Sequence, residues 1–184
     1  MNRKGDWIQC CPSGQPFWPL DPRPEEVRIE DIAHALSNQC RFSGHTLTFY
    51  SVAQHSCLVS DHCPCFPLWG LLHDAAEAYL VDLPRPVKQS LREQGVFIFD
   101  QIETVIMAAV CHRFGLDPVE PREIKAADDL LLVTEARDLM VPLCPGWRHT
   151  PSNGFPVLPD RISPWSPGKA VFEFLLRFSR LYKE

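Results

Sequence analysis

With 184 residues, 45% of them hydrophobic and 22% charged, the chain has the size and composition of one globular domain with a single sizeable core. A formal net charge of −5 excludes capture of nucleic acid or an anionic membrane by bulk charge, so an anionic substrate must be met locally by a metal and a few Lys or Arg side chains. Residues 1–14 lack the apolar core of a signal peptide and no stretch approaches the roughly 18 apolar residues of a membrane span, which predicts a cytoplasmic protein.

The eight cysteines include no C-x-x-C pair and read as free thiols in a reducing compartment, several of them buried. Most of the 18 prolines fall in clusters at 12–24, 64–67, 84–86 and 142–167, and helices are expected between the clusters. The fold class predicted is all-α, a helical bundle in one domain over 1–184. A proline-rich segment covers 1–27, the motif-bearing core about 28–140, and a proline-rich loop with a closing helix 141–184.

In chain order, the first helix spans 29–40, where Ile29, Ile32, Ala33, Leu36 and Cys40 recur at helical spacing. A second spans 50–61 and places Val52, His55, Leu58 and Val59 on one side. A third runs 67–81 without a break, and a short one covers 85–93. A long helix over 96–114 ends at Gly115, another covers 120–140, and the last covers 168–183. The alternation in "HTLTFY" at 45–50 is too short and isolated to predict a strand.

The third helix carries the sharpest feature, "HDAAE" at 73–77 between apolar neighbours. Buried charge is costly unless it is paired or bound to a metal. His73 and Glu77 are four residues apart and share a helical face, with Asp74 on the same rim, so one helix offers two ligands and a nearby acid or base. His55 lies on the apolar side of the preceding helix and supplies a second imidazole. A mixed His and Asp set suits one divalent transition ion, Mn, Co, Fe, Ni or Zn. Helical phase selects the fourth ligand: taking Ile124 as zero, Asp128 falls at about 40°, inside the apolar stripe, and Asp129 at about 140°, outside it. Asp128 is the expected ligand and Asp129 a solvated residue.

This ordered set, His55, His73-Asp74 and Asp128, resembles the HD-domain metal phosphohydrolases. "CRF" at 40–42, "SVAQHS" at 51–56, "GLLHDAAEAYLVDLPRPVK" at 70–88 and "IKAAD" at 124–128 resemble the small 5′-deoxynucleotidases and the related phage dATP triphosphohydrolases. The resemblance implies that Glu77 is a general acid or base beside the metal and Asp82 a second acidic group. It implies that Arg41 contacts the phosphate or orients the sugar, and that Lys88 and Lys125 neutralise phosphate oxygens, with Mg admitted as an additional ion on the phosphates. Phe42 stands where the deoxynucleotidases commonly carry Trp; it can pack on a sugar but lacks the indole donor. The stretch between His55 and His73 is shorter than in the best-known members.

The function so implied is metal-dependent removal of the 5′-phosphate from deoxynucleoside monophosphates. Release of tripolyphosphate from a dNTP is the alternative, and a nucleotide-binding regulator without turnover is a third. The partner is a small nucleotide, with no nucleic acid and no membrane. His45, between Arg41 and His55, is a further candidate for the site; His34, His62, His112 and His149 show no partner pattern. Glu135 and Asp138 share the stripe of Asp128 and line the pocket or, as is preferred, pair with buried cations. Phe17 and Trp18 are expected in core or lid packing, with base stacking as an extra. The closing helix, with Val171, Phe172, Phe174, Leu175, Leu176, Phe178 and Leu181, is too apolar for a solvated face. It is either central core or the interface of a homo-oligomer.

Overall fold

Capping chemistry decides where the helices begin and end. A computed structural model describes residues 3–183, and among these seven α-helices follow a short N-terminal hairpin. They are α1 (Ile29–Asn38), α2 (Val52–Asp61), α3 (Pro67–Leu72), α4 (Arg85–Glu93), α5 (Ile98–Phe114), α6 (Arg122–Leu139) and α7 (Pro167–Leu181). The Ser51 side chain accepts from the Gln54 N–H to start α2, and Ser166 accepts from the Lys169 N–H to start α7. Gly115, at φ 67°, ends α5 in the left-handed conformation that a residue without Cβ adopts freely. The all-α class is therefore the observed one.

Two expectations fail. The helix predicted over 67–81 stops at Leu72, and Ala75–Ala78 forms a 3₁₀ turn instead. A continuous helix would give the Gly70 carbonyl to the Asp74 N–H, but the His73 Nδ1–H takes that carbonyl at 2.8 Å. Asp74, at φ −98° and ψ 15°, then leaves the helical path. The N-terminal segment also holds a hairpin that no periodicity announced: β1 (Ile8–Gln9) pairs antiparallel with β2 (Pro16–Phe17). Strands of two residues are too short to show a period. The 45–50 segment forms no strand; only the isolated bridge between Cys40 and Ser51 closes that loop.

The main core gathers Phe17, Ile32, Leu36, Leu71, Leu72, Ile106 and Phe174 from the hairpin, α1, α3, α5 and α7. Packed against α1, α2 and α3, α7 buries Ala170, Phe174 and Phe178. The closing helix is thus core on that face, while Phe172 points outward at 62% exposure. A second cluster, Val59, Trp69, Cys111, Ile124 and Leu131, joins α2, α3, α5 and α6. Between α6 and α7 the chain is strapped by polar bonds as well as by Leu158, Ile162 and Trp165, which pack on the two clusters. Gln54 donates to the Ser163 carbonyl and accepts from the Trp165 N–H, and Arg137 donates to the Leu158 and Asp160 carbonyls. All eight cysteines are free, with Cys57, Cys63 and Cys111 buried. Among the described residues no single helix is long and apolar enough to cross a membrane.

One close approach positions the site. A Cβ on Gly70 would lie 3.0 Å from the Ser60 Cα and 3.2 Å from its nitrogen, so only glycine lets α3 lie this tightly on α2. That contact brings the end of α3, with His73, against the middle of α2, with His55.

Candidate metal centre

His55 is fully buried on α2, and its Nδ1–H donates to Glu135 Oε1 at 2.7 Å. His73 is fixed by its Nδ1–H bond to the Gly70 carbonyl. With both Nδ1 atoms committed as donors, the two Nε2 atoms are the free ligand positions, and they face each other at 3.3 Å. Asp74 Oδ2 lies 3.2 Å from His73 Nε2 and 3.7 Å from His55 Nε2, and Asp128 Oδ1 lies 3.4 Å from His55 Nε2. Ligand atoms of His55, His73 and Asp128 form a group compact enough to hold one ion. Three of the four expected ligands, His55, His73 and Asp128, form that group, and Asp74 lies beside it.

The charges around that point fit a cation. Asp74, Asp128 and Glu135 face one buried guanidinium, that of Arg41, which lies 3.2 Å from Glu135 Oε2, 3.5 Å from Asp74 Oδ2 and 4.0 Å from Asp128 Oδ1. Burial opposes the ionised carboxylate at Asp128. The hydrogen bond and charge of His55 together with Arg41 prevail and hold its pKa far below the usual range. Burial likewise works against Asp74, and His73, His55 and Arg41 hold its carboxyl low. At His55, burial and Arg41 act to lower the pKa, yet Glu135 and Asp128 raise it to about 9. A proton on His55 and a divalent ion on both Nε2 atoms are two ways to answer the same negative charge. Two imidazoles with their second nitrogens fixed, plus two carboxylates, are a donor set for a divalent transition ion.

Glu77 behaves differently. Its carboxyl is buried, Oε2 has no hydrogen-bond partner, and burial followed by the charges of Asp74 and Asp82 pushes its pKa well above the ordinary value. These causes favour the protonated form of the Glu77 carboxyl. The turn that holds it is pinned by the Gln39 amide, which donates to the Glu77 carbonyl at 2.9 Å. Because the helix breaks at His73, Glu77 sits on this turn and not on the i, i+4 face expected from the sequence. Burial also raises the Asp82 pKa, against the opposing pull of Arg41.

The other candidate residues are engaged within the chain to different degrees. Arg41 is buried among carboxylates, and its first duty is to neutralise them. Phe42 and Ser43 adopt left-handed backbone at φ 56° and 52°, which turns the chain sharply beside Arg41. The Arg41 guanidinium lies 5.3 Å from the centre of the Phe42 ring. Lys88 pairs with Glu103 at 2.9 Å and Lys125 with Asp128 at 3.2 Å as well as with Asp129, so both have duties within the chain. Asp129 is half-buried in these pairs rather than free in solvent. His45 is exposed and joins none of these bonds. Asp138 pairs with Arg137 and accepts from the Ile162 N–H, the structural duty preferred for it.

The Glu135 position combines both readings offered by its stripe, since it is an ion-pair partner and also the group that orients a ligand. Its seven-residue spacing from Asp128, two turns along one face, was the signal that could have found it. Tyr50, whose Oη donates to Glu135 Oε1 at 2.8 Å, and Arg85, which reaches Asp128 Oδ2 at 3.2 Å, were missed outright. A tyrosine at a loop end and an arginine between prolines carry no periodic signal.

Fold and site together define an all-α protein with a part-buried cluster of His55, His73 and Asp128, flanked by Asp74. No family model matches the chain. It is 38% identical over 171 residues to the uncharacterized protein YfdR of Escherichia coli K12, with 92% of each chain covered. It is 40% identical over 141 residues to the uncharacterized protein RCAP_rcc00048 of Rhodobacter capsulatus, covering 69% of this chain and 70% of that one. The chain belongs to the same family as YfdR.

Proposed function

We propose that this protein is a divalent-metal-dependent phosphohydrolase of the HD type that removes the 5′-phosphate from deoxynucleoside monophosphates. The observation that carries the reading is the grouping of His55 Nε2, His73 Nε2 and Asp128 Oδ1, flanked by Asp74 Oδ2, with the buried Glu77 close enough for its carboxyl to feel the Asp74 charge and its Oε2 without a hydrogen-bond partner among the described residues. A divalent ion held by this group supplies Lewis acidity and a water of lowered pKa. The chain's own residues do the rest. Glu77, whose burial and carboxylate neighbours favour its protonated form, delivers a proton to the departing sugar oxygen as general acid. Arg41 keeps the anionic ligands compatible with one another in a buried space and holds Asp74 and Asp128 facing the centre. Lys125 and Arg85, both near Asp128 and part-exposed, bring positive charge to the mouth, where an anion arrives in a chain of net negative charge.

The test is to load the protein with each of Mn, Co, Zn, Fe and Ni and incubate it with every dNMP and dNTP. Inorganic phosphate from a dNMP is expected. Tripolyphosphate from a dNTP would replace the monophosphatase reading with the triphosphohydrolase one. Absence of turnover with every metal and nucleotide would leave a nucleotide-binding regulator.

A further inference from the structure

Charge, rather than packing, is what ties α4 to its surroundings. No residue of Arg85–Glu93 is buried, and a helix of nine residues without an apolar anchor is marginal by itself. Lys88 and Arg92 tie it to α5 through Glu103 and Asp100. Its N-terminal turn is held to α6 by Arg85, whose Nη2 donates to Asp128 Oδ2 at 3.2 Å and Nη1 to Asp129 Oδ1 at 3.3 Å. The Asp128 carboxylate is therefore divided: Oδ1 faces His55 Nε2 in the centre, while Oδ2 serves Arg85 and Lys125 outside.

We propose that α4 is a lid at the rim of the metal centre, latched by Arg85 on Asp128 and Asp129, and that metal loading releases the latch. The inference rests on the metal-centre reading above. One carboxylate cannot fully neutralise a divalent ion and a guanidinium together, and the ion repels the guanidinium that shares its ligand. Arg85 is 46% exposed, so water stands ready to replace the bond it loses. Gly95, at φ 76° in the turn toward α5, can absorb the motion, while Pro84 and Pro86 stiffen the other end of α4. The latch thus couples the hold on α4 to the occupancy of the centre.

Hydrogen exchange read by mass spectrometry tests this on the whole protein, metal-free and loaded with Mn, with uptake verified by elemental analysis. Amides of 85–92 should exchange roughly threefold to tenfold faster after loading, the range expected for loss of one part-exposed ion pair, while those of α2 and α6 slow down. Arg85→Ala should exchange fast in both states and lose the response to metal, whereas Lys88→Ala, which leaves the latch intact, should keep it. Verified uptake with unchanged or slower exchange in α4 would overturn the latch and leave the metal centre standing. So would an Arg85→Ala protein that still responds to metal. No uptake would remove the metal centre and the coupling with it, and slow exchange of α4 in metal-free Arg85→Ala would then remove the lid as well.

Discussion

The two oxygens of Asp128 look into two differently built regions. On the inner side, His55, Glu135, Tyr50 and Arg41 are all buried and bonded to one another, each projecting from or flanking a packed helix. On the outer side, Arg85, Lys125 and Asp129 meet at a half-exposed rim where α4 has no buried residue. The inner region fixes geometry, because a buried polar network is costly to leave partly unsatisfied. The outer region holds charge that water or an anion can exchange at small cost. A centre that must hold an ion in one place and still admit a substrate needs both kinds of construction.

The largest expected effect separates the two regions at adjacent residues. Asp128→Ala should abolish metal binding and activity, since it removes the oxygen facing His55. Asp129→Ala, confined to the rim, should leave both nearly intact. Elemental analysis beside a rate assay reads the difference, and equal metal loss in the two variants would break the distinction. Next, Glu77→Ala should keep its metal and lose roughly two to four orders of magnitude in turnover, the range for loss of a general acid. Metal loss in this variant would make Glu77 a ligand instead. Third, Glu135→Gln should weaken metal affinity about tenfold to a hundredfold without touching the ion, because it disturbs the carboxylate that sets the His55 tautomer. An isothermal titration with unchanged affinity would reduce Glu135 to a counter-charge for Arg41.

The inner region was also the more legible in the sequence. His55, His73 and Asp128 could be read from apolar phase, because a polar group on a buried stripe must be satisfied by something specific. Asp129 could be set aside as a ligand by the same reasoning. What periodicity could not show was the break after Leu72, since it depends on the His73 ring capturing a carbonyl three residues back. The rim was the harder part to read. Lys88 and Lys125 were taken as phosphate contacts on resemblance, and their partners Glu103, Asp128 and Asp129 depend on how α4, α5 and α6 pack. Exposed ion pairs follow from tertiary placement, and local sequence pattern does not encode it.

A fourth prediction asks whether the inner geometry depends on helix contact as argued. Gly70→Ala should destabilise the protein by about 1–3 kcal/mol, the usual cost of overpacking, because the added methyl meets Ser60 backbone rather than a flexible side chain. Moving α3 away from α2 also separates the two Nε2 atoms, so metal affinity should fall together with the melting temperature. A variant that loses stability but keeps full affinity would mean that His73 is placed by its bond to the Gly70 carbonyl and not by the close approach of the helices.

The smallest expected effects are at the two lysines, where the structure changes what should be measured. Lys88 is 17% exposed at its side chain and donates to both oxygens of Glu103, while Lys125 is 53% exposed and spans Asp128 and Asp129 at i+3 and i+4. An exposed i, i+4 pair contributes about 0.3–0.5 kcal/mol, so Lys125→Ala should leave the melting temperature nearly unchanged. Lys88→Ala should lower it measurably, by up to about 1 kcal/mol of stability, since it also leaves Glu103 without its partner. If either lysine serves phosphate, its loss reduces turnover with metal content unchanged, and comparing dAMP with dATP then tells how. A monophosphatase should show the loss on the monophosphates it accepts, whereas a triphosphohydrolase should depend more on one lysine for dATP than for any shorter nucleotide. Lys125 shares Asp128 Oδ2 with Arg85, so its effect on turnover should exceed that of Lys88, which is committed to α5. Kinetics in which Lys88→Ala is the more damaging, with stability unaltered, would place the substrate's charge along α4 rather than at the Asp128 rim.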